Sequence, residues 1–203
     1  MRVVCPFQNP YLANVYVIGE EGQPAILVDP GNNENDCLNR YLERHHKGAV
    51  AAILLTHGHY DHIYGLLTLD TNAPVYIHRD DVPYLTDDRL NLLRGLSVEG
   101  YKIKTVEDEE ELEILGHQIQ VIHTPYHTPG SVCYFFKEEK VLFSGDSLFH
   151  LSVGRSDLPG GNGRLMESSL AKLRPLPPDT KVYPGHESIT TLDLERRYNP
   201  YLQ

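Results

Sequence analysis

The chain has 203 residues, 40% of them hydrophobic, with a formal net charge of -10 and three cysteines. That length supports one domain, residues 1–203, with a sizeable core. The acidic balance argues against a nucleic-acid partner, whose phosphates repel it. No run of about 18 apolar residues predicts a membrane span, and the start, MRVVCPFQNPY, lacks the apolar run of a signal peptide. Cys5, Cys37 and Cys133 are odd in number and without a CxxC, which reads as free thiols in a reducing, cytoplasmic setting.

Short apolar runs alternate with turn signals. Asn14–Gly19 and Ala25–Asp29 read as strands paired around the Glu21–Gly22 turn. Asn35–His46 predicts a helix, and Val50–Leu55 a strand covered on both faces. His62–Leu69 predicts a helix, Pro74–Ile77 a strand, and Asp80–Leu96 two short helices. The acidic run Glu107–Glu111 reads as a solvated turn, because like charges repel. Strands follow at Gln118–Ile122, Ser131–Phe136 and Lys140–Ser144. A helix is predicted over Leu165–Leu173, a last strand at Lys181–Tyr183 and a last helix over Thr190–Arg197. Strands thus alternate with helices twice over, an order that fits two mixed sheets with helices on the outer faces.

The densest chemistry is Thr56-His57-Gly58-His59-Tyr60-Asp61-His62, which begins where the Val50–Leu55 strand ends. Strand ends are where open α/β sheets place their sites. In an extended turn His57 and His59 point the same way, since side chains alternate with period two. Asp61 and His62 start the next turn and can face a second point, so one loop can serve two adjacent metals. Three more polar groups sit at strand ends: His127 in PYHTPGS, Asp146 in SGDS and His186 in PGHE. Five histidines and two aspartates, without a thiolate, suit zinc, iron or manganese.

THGHYDH, HTPGS, GDS and PGH, in this order and spacing, resemble the ligand loops of the metallo-β-lactamase superfamily. The resemblance spans essentially the whole chain, and it implies the four-layer αββα sandwich. It also implies two divalent metal ions, zinc first, with iron or manganese as alternatives. His57, His59 and His127 would hold the first, Asp61, His62 and His186 the second, and Asp146 both. The segment Val153–Gly161 after Asp146 is similar to the single-domain, glyoxalase II-like group, whereas the true β-lactamases resemble the chain less. The sequence ends about seventeen residues after His186, where long-form glyoxalase II continues into a glutathione-binding helical domain. Specificity for glutathione is therefore expected to be loose.

The resemblance implies a binuclear hydrolase acting on a small-molecule thioester such as S-lactoylglutathione, with Asp61 and Asp146 catalytic. The runner-up is a mononuclear iron oxygenase like the persulfide dioxygenases, using His57, His127 and Asp146. A non-enzymatic, metal-stabilised binding protein is the third reading. Around the ligands, Asp29 reads either as support for a metal-binding histidine or as a turn residue. Arg155 and Asp157 read as a substrate wall or as an ion pair with each other. Tyr60 and Tyr126 read as pocket-lining or merely packed. His123 reads as structural, and His45, His46, His78 and His117 as surface residues.

Overall fold

The computed structural model describes residues 1–6 and 13–203. Its backbone falls into two compact units, Met1–Ile77 with Val82–Thr105, and His78–Asp81 with Val106–Gln203.

The first unit is organised on a mixed sheet of β1 (Val3–Val4), β2 (Tyr16–Ile18), β3 (Ala25–Val28), β4 (Val50–Leu54), β5 (Val75–His78) and β6 (Ile103–Val106), in that spatial order. β1, β2 and β3 pair antiparallel, while β3, β4 and β5 run parallel. The parallel centre explains why β3 and the end of β4 read as uninterrupted apolar runs. Parallel strands are covered on both faces and have no solvent side to mark with polar residues. The β3–β4 crossover is α1 (Cys37–His46), whose buried Leu38, Leu42 and His46 recur every four residues along one face. Asn33 starts it: its Oδ1 accepts the N–H groups of Leu38 and Asn39, two of the donors a helix start leaves unpaired. Leu38 and Leu42 pack with Val15, Val17, Leu27, Ile53 and Val75 in one apolar cluster. The short α2 (Tyr60–Ile63) and α3 (Asp88–Asn91) complete this unit.

The second unit carries a sheet in the order β12-β11-β10-β9-β8-β7. These strands are β7 (Glu111–Ile114), β8 (His117–His123), β9 (Val132–Phe136), β10 (Val141–Gly145), β11 (Lys181–Pro184) and β12 (Thr190–Thr191). All neighbours are antiparallel except β10 and β11. Helices α4 (Met166–Ala171) and α5 (Leu192–Tyr198) cover it. Leu170, Leu173 and Leu192 pack with Ile122, Cys133, Phe135, Leu142 and Val182.

Two mixed six-stranded sheets flanked by helices are the αββα class that the sequence predicts. The local differences lie in short or charged segments. The acidic run turns at residues 107–110, but Glu111 already belongs to β7. β7 buries only Leu112 and Ile114, and its glutamates face solvent on the alternate positions. The predicted helix Thr190–Arg197 begins as the two-residue strand β12 and becomes helical at Leu192. Two histidines expected at the surface are buried. His46 lies on the inward face of α1 with its Nδ1 2.9 Å from the Gln23 carbonyl, and His78 ends the buried strand β5.

Candidate metal centre

Within the first unit the ligand-type residues follow β4 directly. The backbone leaves the sheet at Leu55, bends at Thr56, is extended at His59 and turns into α2 at Tyr60. The close turn needs Gly31: a Cβ there would lie 1.5 Å from the Asp61 carbonyl oxygen. His57, His59 and His62 are buried, and the Asp61 side chain is mostly so. The His57 Nε2 and His59 Nδ1 atoms are 3.1 Å apart. That is close to the ~3.3 Å edge between two donors of one tetrahedral zinc with 2.0–2.1 Å bonds. His62 Nε2 lies 3.7 Å from Asp61 Oδ2.

Asp29, at the end of β3, organises this loop. Its Oδ1 accepts the Thr56 N–H at 2.8 Å, and its Oδ2 accepts the Thr56 hydroxyl at 2.6 Å and the His62 Nδ1–H at 2.8 Å. The Thr56 oxygen, its proton given to Asp29, can accept from His57 Nδ1 at 3.2 Å. Both imidazoles are thereby fixed with Nε2 as the lone-pair nitrogen. Asp29 thus bonds the His62 ring and also sits in a turn, its carbonyl accepting the Gly31 N–H at 2.7 Å.

Within the second unit, His127 sits in the loop between β8 and β9. Its Nδ1–H donates to the Arg155 carbonyl at 2.6 Å, which leaves Nε2 as the donor atom, 3.4 Å from Asp146 Oδ2. His186, just after β11, places Nε2 3.7 Å from the same oxygen. One carboxylate oxygen thus lies within reach of two imidazoles. Asp146 ends β10 through Gly145, at φ +49°, where the register with β11 shifts. Gly154 lets the following loop fold back, since a Cβ there would meet the Asp146 carbonyl oxygen at 2.0 Å.

The other site residues are placed plainly. Arg155 and Asp157 are exposed and pair with each other through bonds of 2.6 and 2.8 Å, which hold the Asp157 carboxyl down to about 2. Tyr126 is fully buried in the core beneath α4 and α5. Its hydroxyl lies 2.6 Å from the Ser147 carbonyl and 3.1 Å from that of Asp146. Burial pushes that phenol well above its ordinary range. Tyr60 is partly buried and packs against the first unit's core.

Asp81 is a residue that sequence reading passes over. It is wholly buried, and its carboxylate accepts the Thr128 hydroxyl and the Gly130 N–H, both at 2.7 Å. It clamps the loop that carries His127. Its only sequence signal is an acidic pair, Asp80-Asp81, that looks like any solvated turn.

The chain holds groups of histidine and aspartate able to bind one or two divalent ions. The donor set of imidazole and carboxylate fits zinc, iron or manganese.

Comparison with known proteins agrees with this chemistry. The family model described as metallo-beta-lactamase superfamily matches residues 9–186. The crystal structure of BLEG-1 B3 metallo-beta-lactamase is 36% identical with a TM-score of 0.86, covering 99% of this chain and 98% of that one. That likeness runs against the expectation that β-lactamases stand further off. The crystal structure of TTHA1623 in a di-iron-bound form is 37% identical with a TM-score of 0.82, covering 100% of both chains. Hydroxyacylglutathione hydrolase GloC of Haemophilus influenzae is 31% identical over 93% of this chain and 92% of its own length.

Proposed function

This chain belongs to the metallo-β-lactamase superfamily, and from that premise we propose that it is a binuclear, metal-dependent hydrolase of thioesters. His57, His59 and His127 would hold one ion, Asp61, His62 and His186 the other, and Asp146 would serve both.

One observation carries the metal reading. His57, His62 and His127 each have the second ring nitrogen tied to an oxygen, of Thr56, Asp29 and the Arg155 backbone respectively. Metal-ligating histidines almost always show such a partner, which fixes the tautomer and raises ligand basicity.

When bound, two divalent ions supply a water of lowered pKa and a Lewis acid for the acyl carbonyl. The chain's own contribution is orientation. Asp29 and Thr56 hold His57 and His62 in one tautomer and position. The Arg155 carbonyl does the same for His127. Asp61 and Asp146 provide the negative charge that keeps two cations tolerable at one place. No serine or cysteine nucleophile is required, because a thiol of pKa near 8–9 leaves readily as thiolate.

The thioester class rests on the 31% identical hydroxyacylglutathione hydrolase and on the glyoxalase II-like segment Val153–Gly161. The test is steady-state hydrolysis of S-lactoylglutathione, of a short thioester without the peptide and of a chromogenic β-lactam, by metal-loaded protein. Thioester turnover that a chelator removes is the expected result. Turnover of the β-lactam alone, or oxygen consumption on glutathione persulfide without hydrolysis, would overturn the proposal.

A further inference from the structure

A second group of metal-type side chains lies within the second unit and belongs to none of the loops above. His78, Asp80 and His123 each offer a ligand atom, and these atoms lie within 4.8 Å of one another. We propose that they form an accessory site for a divalent transition cation of the zinc class.

Four observations carry it. The His78 and His123 rings are stacked, with centroids 4.0 Å apart and 12° between planes. The tautomers suit a ligand role. His123 Nε2 donates to the Pro129 carbonyl at 2.8 Å, so its Nδ1 keeps the lone pair. His78 Nδ1 accepts the Asp80 N–H at 3.3 Å, a long bond that a cation can replace. Carboxylates stand on both sides of His78: Asp80 Oδ2 is 3.7 Å from Nδ1, and Glu107 Oε2 is 3.9 Å from Nε2. The nearby cations are already engaged, Arg79 with Glu107 and Lys172 with Asp108 at 2.7 Å. His78 is buried, whereas Asp80 is exposed and His123 partly so, which leaves an entry path.

Burial and the neighbouring His123 also keep the His78 imidazole neutral to lower pH than usual, so its lone pair is available at neutrality. Two nitrogens with one or two carboxylates favour a borderline cation such as zinc over magnesium or calcium, which prefer all-oxygen shells. Because a cation must lie in the plane of each ring it binds, the parallel stack has to open.

The placement gives the site a consequence. His123 ends β8 and is followed by the loop bearing His127, and its ring is tied to Pro129 in that loop. His78 is three residues before Asp81, which clamps Thr128 and Gly130. A cation bound here fastens the end of β5 to the root of the His127 loop.

The inference does not depend on the thioester reading and is tested by metal binding. Protein loaded with zinc at its tight sites and freed of excess is titrated with zinc by calorimetry, beside His123→Ala and Asp80→Asn. Both substitutions are at accessible side chains, and folding is checked by thermal melting. Loss of an outer partner alone costs about 10–100-fold in metal affinity, so loss of a ligand is expected to weaken this extra uptake by at least about a hundredfold. The wild type should take up one further zinc and melt higher in its presence. The variants should lose both effects, and Asp80→Asn, which lies outside the His127 loop, should retain the tight zinc. No extra uptake by the wild type, or identical titrations of wild type and both variants, would overturn the inference.

Discussion

Asp29 holds a backbone conformation, φ +48°, that non-glycine residues rarely adopt, and its two oxygens serve three donors. Asp29→Asn keeps the shape but puts an amide where one oxygen accepts. Metal affinity should fall by about 10–100-fold, and activity should return with excess metal, as a metal titration of the variant would read. Asp146 and Arg155 should separate differently. Asp146→Ala should abolish turnover, whereas Arg155→Ala should act mainly on KM, the signature of lost uniform binding. An Asp146→Ala enzyme with near-normal kcat would contradict the bridging role. Cys133 gives a prediction free of catalysis. Burial pushes its thiol up from 9.0 to about 11, so the folded chain holds its proton longer than the unfolded one. Stability should therefore fall as pH rises through about 9 toward 11. Iodoacetamide at pH 8 should modify Cys133 only on unfolding, as peptide mass spectrometry would show. At this scale the sequence displays ligand-type residues well, because three imidazoles and a carboxylate cluster within six positions. It displays their supports poorly. Asp81 lies 47 residues from Thr128 in the chain, and nothing local marks the contact.

The loop from Thr124 to Ser131 is the element on which His127 depends. Ser131 Oγ accepts the Thr128 N–H at 3.0 Å, and Asp81 closes the loop from outside. Asp81→Ala leaves the Thr128 hydroxyl and the Gly130 N–H without that acceptor. Each buried, unsatisfied donor costs about 1–3 kcal/mol, so urea denaturation should show a lower midpoint with an unchanged slope. Metal affinity should drop with it. Gly31→Ala tests the other loop. With the Asp61 carbonyl 1.5 Å from the added Cβ, the ligand loop has to move, and metal content should fall even where the chain still folds. Element prediction follows the same logic. β3, β4 and β9 are legible because they are apolar throughout. β1 and β12 have two residues each, too short for any periodicity to register. β6 and β7 are half-exposed and carry lysine and glutamates, which read as turn or solvated surface.

Over the whole molecule the alternation of strands and helices predicts two mixed sheets with helices outside, and the αββα class is what the resemblance of the four loops implies. The division of the chain into two compact units is not visible in the sequence, because no linker composition marks it: the first unit borrows Val82–Thr105 and the second takes back His78–Asp81. Of the seven proposed ligands, His57, His59, Asp61 and His62 fall in the first unit, and His127, Asp146 and His186 in the second. The central proposal is that these residues hold two metal ions. Anomalous diffraction at the metal edge, from crystals of metal-loaded protein, tests this directly. Two strong peaks per chain are predicted, one beside His57, His59 and His127 and one beside Asp61, His62 and His186, both touching Asp146. A single full-occupancy peak at His57, His127 and Asp146, with Asp61 and His186 clear of metal, would contradict the binuclear hydrolase and favour a mononuclear oxygenase.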